Sequence, residues 1–233
     1  MIIPVGTSAL LRCPHCRNPV EGVGYQLSNG SELRFAPLCP TCVESEKRER
    51  QQHLEEARNK ERKLRWETLC PRAYRETDAA RLPQEGMATV LAWRENRDGR
   101  GLLLFGPTGR GKTRLVWLLL WRLVVEEGLS LVALAETEFA HQCGWHFARG
   151  TAQQWVEELC QTPILFLDDL GKATVTDRFR HELFHVIEHR TAHGRPIFLT
   201  TNLVGEELTT RLGSTTGEAL LRRLREHCQV IEL

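Results

Sequence analysis

Apolar and polar positions divide this chain into three regimes. From Cys70 onward, short apolar runs alternate with longer segments of mixed polarity. "GLLLF" (101–105), "LSLVALA" (129–135), "PILFLDD" (163–169), "PIFLTTN" (196–202) and "QVIEL" (229–233) are the short runs. "PILFLDD" does not alternate, the mark of a strand buried on both faces. Between the runs the spacing predicts helices over 112–127, 137–148, 152–160, 176–193 and 217–227, with Gly128 and Gly194 as stops. Phe179, Leu183, Phe184, Val186, Ile187 and Arg190 give the fourth helix a mixed apolar face. Trp117 and Trp121, four apart on the first, read as core. Strand–helix alternation of this kind predicts an α/β fold, a parallel sheet with helices on both faces.

The other two regimes are shorter. Residues 44–67 are dense in charge of both signs, with Leu54, Ala57, Leu64 and Trp66 the apolar exceptions. Because the charges nearly cancel, the segment reads as a solvated helical linker rather than a nucleic-acid arm. Pro71 cannot sit inside a helix and ends it. Residues 1–43 carry Gly, Pro and Asn around two cysteine pairs. The expected domains are therefore a small module at 1–43, a linker at 44–69 and the main domain at 70–233.

Charge adds an exclusion. Lys and Arg number 31 against 30 Asp and Glu, so no global basic field advertises nucleic acid, and any such surface must be local. "MIIPVGTSALLRC" lacks the charged start and long apolar run of a secretory signal. The most apolar stretch, Leu115 to Val125, is broken by Arg122 and falls short of the ~18 residues of a membrane span. A cytoplasmic protein without membrane contact is expected.

"GPTGRGKT" (106–113) fits the phosphate-loop pattern and stands between a predicted strand and a predicted helix. Gly106, Gly109 and Gly111 let the backbone curl so that N–H groups turn inward, with Pro107, Thr108 and Arg110 filling the loop. The helix that follows adds its positive end. Lys112 is placed to neutralise the β- and γ-phosphates of ATP and Thr113 to offer a hydroxyl to Mg²⁺. "ILFLDD" delivers Asp168 and Asp169 to the end of an apolar strand, the edge where ligands of such sheets bind. Asp168 would orient Mg²⁺ through water, and Asp169 would act as general base on the attacking water. Asn202, ending "FLTTN", either starts a turn or positions the γ-phosphate or the water.

Cys13 and Cys16, then 22 residues, then Cys39 and Cys42 give the spacing of a zinc ribbon or treble clef. Fewer than 45 residues cannot hold a fold by core alone, so Zn²⁺ would supply the folding energy. A pair of disulfides is the alternative, disfavoured in a reducing compartment. Tyr25 and Phe35 read as a mini-core, while Leu33 and Arg34 are open to docking. Cys70, Cys143, Cys160 and Cys228 read as ordinary buried thiols.

"LLLFGPTGRGKT", "ILFLDDLGK", "HELFHVIEHRTAHGRPIFLTTN" and "EALLRRLREHCQVIEL" together resemble the AAA+ ATPases, and more closely the DnaC/IstB-type helicase loaders and transposition helpers. The resemblance covers about residues 70–233. It implies slow ATP hydrolysis by a homo-oligomer that forms when ATP is bound, with Arg223 reaching a neighbour's γ-phosphate. It implies a partner enzyme, a replicative DNA helicase or a transposase, gripped by the zinc module, and it implies single-stranded DNA. A nucleotide-sensing adaptor with little hydrolysis is a further reading. Many relatives carry a further arginine past the last strand. No candidate for it precedes Leu233, which implies a slow or switch-like use of ATP. "HQCGWHFARG" (141–150) is locally basic and aromatic: Trp145, Phe147 and Arg149 either stack on DNA or pack as a helix end. Tyr74 is expected near the adenine.

Overall fold

The structure is a computed structural model that describes residues 3–5, 10–27, 29–93, 100–172 and 176–233; for 3–5 and 214–216 it describes the backbone alone. The chain divides into two compact units, Met1–Glu61 and Arg62–Leu233.

The first unit is built from very short strands. β2 (Leu10–Arg12) pairs antiparallel with β3 (Pro19–Glu21). β1 (Ile3–Val5), β4 (Val23–Gln26) and β5 (Glu32–Phe35) form a three-stranded antiparallel sheet in the order β1-β4-β5. Among the described residues its buried cluster is Cys13, Val20, Cys39 and Cys42, with Leu11, Ala36 and Leu38 packed against them. Phe35 is 52% exposed, contrary to the mini-core expectation, and touches the half-buried Tyr25 ring at 6.2 Å. Val23, Tyr25, Leu33 and Phe35 are cross-strand partners on one sheet face, and the unit's interior, filled by sulfurs, lies elsewhere.

Helix α1 (Pro40–Leu69) starts inside the second cysteine knuckle and ends just before Pro71. Short helices α2 (Arg72–Arg75) and α3 (Gln84–Leu91) follow, with a 3-10 turn at Ala79–Arg81 between them.

The second unit holds the expected sheet. β6 (Gly101–Phe105), β7 (Leu131–Ala135), β8 (Ile164–Leu170), β9 (Ile197–Thr201) and β10 (Cys228–Glu232) are all parallel, in the order β10-β6-β9-β8-β7. Their side chains alternate between two cores. Leu102, Leu104, Phe166 and Phe198 face one layer with α4 (Lys112–Trp121), while Leu103, Leu165, Leu167 and Leu199 face the other. α5 (Glu136–Ala148), α6 (Ala152–Gln161), α7 (Asp177–Ala192), α8 (Gly205–Leu212) and α9 (Ser214–His227) cover that second face. The helices at 84–91 and 205–212 are additions to the elements the pattern predicts. Cys70, Cys143, Cys160 and Cys228 are buried thiols, as expected.

Two side chains mark where periodicity misleads. Trp117 is buried but Trp121 is 39% exposed, a correction to its assignment as core. The buried arc of α4 runs through Leu115, Val116, Leu119 and Leu120, with Trp117 at its rim. Four residues turn a helix by about 40° beyond a full circle, which carries Trp121 past that rim. Arg190, read as part of an apolar face, is wholly buried. It donates to the carbonyls of Leu159, Cys160, Thr162, Pro163 and Pro196 at the entrances to β8 and β9. Burial pulls its pKa down to about 10.

Candidate functional site

Three parallel strands end at one cleft. β6 runs straight into the loop 106–111, which opens α4. Gly106 has φ +135, and a Cβ there would lie 2.2 Å from the Leu233 carbonyl oxygen. Gly111, at the N-cap of α4, has φ +83, the left-handed region that favours glycine. The cleft has a volume of about 540 Å³, and Thr108, Gly109, Arg110, Gly111, Lys112 and Thr113 line it from the loop. Asp169, Lys172 and Asn202 line it from the strand ends, and Tyr74 from α2. Gly106 and Pro107 act through their carbonyls, which accept from Lys112 Nζ at 2.7 and 2.9 Å. The third Lys112 donor goes to Asn202 Oδ1 at 2.8 Å. Burial lowers the Lys112 pKa.

The acidic pair sits in a β-bulge. Leu167 pairs with Leu199 and Leu170 with Thr201, so Asp168 and Asp169 together oppose Thr200. In a regular strand, neighbours point to opposite faces. Here the extra residue, with Asp169 at φ +60, breaks that alternation. The Thr200 hydroxyl fastens the bulge: it accepts from the Asp169 N–H at 2.9 Å and donates to Asp168 Oδ1 at 2.5 Å. Thr113 donates to the same Asp168 oxygen at 2.7 Å. Asp169 Oδ1 accepts from Asn202 Nδ2 at 3.2 Å, and Oδ2 is 2.6 Å from Lys172 Nζ. Burial raises the Asp168 pKa, the charge of Asp169 adds to it, and the Thr200 and Thr113 hydroxyls oppose it. A carboxylate and a hydroxyl in contact are the hard oxygen donors that suit Mg²⁺, so the residues fit that ion. Thr200 and Lys172 are the site residues that sequence reasoning passed over. Thr200 stood in plain view two residues ahead of Asn202, but only the bulge reveals its task.

The second cluster lies in the first unit. The sulfurs of Cys13, Cys16, Cys39 and Cys42 all lie within 4.8 Å of one another, with Cys16 and Cys39 at 3.5 Å. A tetrahedron of Zn–S bonds of about 2.3 Å has sulfur–sulfur edges of about 3.8 Å, whereas a disulfide closes to about 2.05 Å. All four cysteines are free, so the donor set fits a structural zinc ion. The Cys16 N–H chiefly, helped by that of Cys39, lowers the Cys13 thiol to about 6. Among the described residues no other group of three or more potential ligands converges in this way.

The family model for IstB-like ATP-binding proteins matches residues 22–233. The chain belongs to that family. It is 30% identical over 157 residues to the ATP-binding protein of insertion sequence IS1162 from Pseudomonas fluorescens, covering 67% of this chain and 66% of that one. It is 25% identical over 197 residues to the replicative helicase loader DnaI of Bacillus subtilis, covering 83% of this chain and 63% of that one. The chain thus spans about two thirds of the length of these relatives. Among solved structures, DnaI matches with a TM-score of 0.59 at 19% identity, over 70% of this chain and 94% of that one. The AMPPCP-bound DnaA from Aquifex aeolicus matches at 0.53 and 18%, over 64% of this chain and 44% of that one. The fold is accordingly an AAA+ one, and no helix among the described residues is long and apolar enough to cross a membrane.

In this IstB-like chain Arg223 lies on α9, half-buried, with Nη2 2.5 Å from Glu188 Oε1 on α7. It does not line its own chain's cleft. The segment 141–150 does not pack as a plain helix end: Trp145 is 44% and Phe147 54% exposed. Arg149 lies over the Trp145 ring at 4.1 Å and Arg178 over the Phe147 ring at 3.3 Å.

Proposed function

We propose that this protein is an ATP-dependent loader of a replicative DNA helicase, acting as an ATP-bound homo-oligomer in the cytoplasm. The observation that supports this reading is the extent of the likeness to the helicase loader DnaI, although the IstB-like family model also reaches ahead of Arg62, from residue 22. At 83% of the chain it is longer than the second unit and so takes in residues ahead of Arg62. The insertion-sequence relative covers 67%. In this reading residues 1–43 grip the helicase, 44–69 connect and 70–233 turn over ATP. Trp145, Phe147 and Arg149 offer single-stranded DNA exposed rings and a cation.

The chemistry follows from the cleft. Lys112 and the loop N–H groups hold the β- and γ-phosphates. Thr113 and Asp168 would hold Mg²⁺, which screens charge on the phosphate oxygens when bound. Asn202 positions the γ-phosphate between Lys112 and Asp169. Asp169 takes a proton from water as the water oxygen bonds to the γ-phosphorus and the bond to the bridging oxygen breaks, leaving ADP. Arg223 of a neighbouring copy stabilises charge on the transferring group, which requires it to leave Glu188.

The test is capture of tagged full-length protein from its native cells with ATP present, beside a variant in which Cys13, Cys16, Cys39 and Cys42 are serine. A hexameric helicase, recovered with the wild type and lost with the variant, is expected. A transposase in its place overturns the loader reading in favour of a transposition helper, the role that the 30% identity to an insertion-sequence protein supports. DNA-stimulated hydrolysis that disappears in Asp169→Asn, by about 10²-fold or more, rules out a non-hydrolysing adaptor.

A further inference from the structure

Lys172 stands three residues beyond Asp169 and lines the same cleft as Lys112. Its Nζ is 2.6 Å from Asp169 Oδ2, while Asn202 Nδ2 donates to Oδ1 at 3.2 Å. Both carboxylate oxygens therefore hold a donor. Asn202 Oδ1 in turn accepts from Lys112 Nζ at 2.8 Å. The four side chains form a line across the cleft: ammonium, carboxylate, amide, ammonium.

Lys172 is not needed to place Asp169. The bulge opposite Thr200 fixes the backbone, the Thr200 hydroxyl holds its N–H, and Asn202 holds one oxygen. What Lys172 adds is a charged donor on the remaining oxygen, and charge-assisted hydrogen bonds are the strong kind. That bond engages one lone pair of the oxygen, and the ammonium's charge makes the carboxylate a weaker base toward a water proton.

We propose that Lys172 restrains Asp169 by tempering its basicity: its ammonium must leave Oδ2 before the carboxylate acts at full strength on the attacking water. This rests on the reading of Asp169 as general base. In the step concerned, the water proton passes to Asp169 Oδ2, the water oxygen bonds to the γ-phosphorus and the bond to the bridging oxygen breaks. The Lys172 side chain is 53% exposed, so the ammonium can exchange its partner for solvent. Such half-exposed pairs contribute little to folding, and removing the lysine leaves the domain intact.

The test is ATP turnover by the full chain, with single-stranded DNA present, for wild type, Lys172→Ala, Lys172→Gln, Lys172→Arg and Asp169→Asn. The alanine and glutamine variants are expected to raise kcat about threefold with KM little changed, the scale of an exposed ion pair. The arginine variant keeps the pair and stays near wild type. Two neutral variants guard against one that fails to fold. A kcat at or below wild type in both, with Asp169→Asn inactive, overturns the restraint alone and leaves the general base standing. Wild type and every Lys172 variant as slow as Asp169→Asn overturns both. A merely structural lysine cannot produce a gain in kcat.

Discussion

The two units of this chain solve the same problem in different ways. Arg62–Leu233 buries apolar side chains on both faces of a parallel sheet, with Leu102, Leu104, Phe166 and Phe198 on one side and Leu165, Leu167, Leu199 and Phe179 on the other. Among its described residues, Met1–Glu61 has strands of three or four residues and a buried cluster of three cysteines and one valine. An apolar core of that size cannot offset the entropy of ordering the chain. Four thiolates around one zinc ion would, because structural zinc contributes roughly 10–16 kcal/mol of apparent binding free energy. Where the core is thick, the site can be strained and charged. Where it is thin, the site is the core.

The sharpest way to break this contrast is Cys39→Ser in the full chain. The first unit should lose its metal and its strand dispersion in NMR spectra, while the cooperative melting of the second persists. Loss of both together would mean that the second unit depends on the first. Next in size is Phe166→Ala, which empties a buried position on β8 against the Trp117 ring. A large-to-small change of this kind costs about 3–5 kcal/mol. Calorimetry should show it in the second unit, with the zinc content unchanged.

How far each unit was legible follows from the same contrast. β6, β8 and β9 announce themselves because strands buried on both faces need unbroken apolar runs. The strands of the first unit carry no such signal: β5 is exposed throughout, and the cysteine spacing points to a metal site rather than to the sheet. The phosphate loop is readable because its glycines and lysine do one job in one backbone shape. Thr200 is not, since its role arises from a register shift between β8 and β9 that no local pattern encodes. Trp121 was misjudged because a four-residue spacing names a face without saying how wide it is.

Thr200 supplies a smaller test. In Thr200→Val the shape is kept, but Asp168 loses a donor and the Asp169 N–H loses its acceptor. Leaving such groups unsatisfied costs about 1–3 kcal/mol. Melting should fall by that amount, and hydrolysis should fall with ATP affinity little changed, since the loop itself is untouched. An unaltered rate would mean that the bulge holds both carboxylates without the hydroxyl.

The smallest effect expected is one of pH. Asp168 has its pKa raised above the ordinary 3.8, by burial first and by the Asp169 charge after it. A carboxyl that binds its proton more tightly when folded favours the fold while protonated. Its contribution is therefore fully present below the unfolded value and is lost as pH rises through the raised folded one. Above that window the ionised group weighs against folding, which is the condition a cation-binding carboxylate must tolerate. Asp168→Asn keeps an oxygen for the Thr113 and Thr200 hydroxyls and removes the charge. Without Mg²⁺, its melting temperature should match wild type at the acid end of the window and exceed it increasingly as pH rises toward neutrality. With Mg²⁺ and ATP the order should reverse, because the ion stabilises only the carboxylate. Parallel melting curves across the whole range would show that Asp168 is ionised at no cost, and that stability was not traded for metal binding at this site.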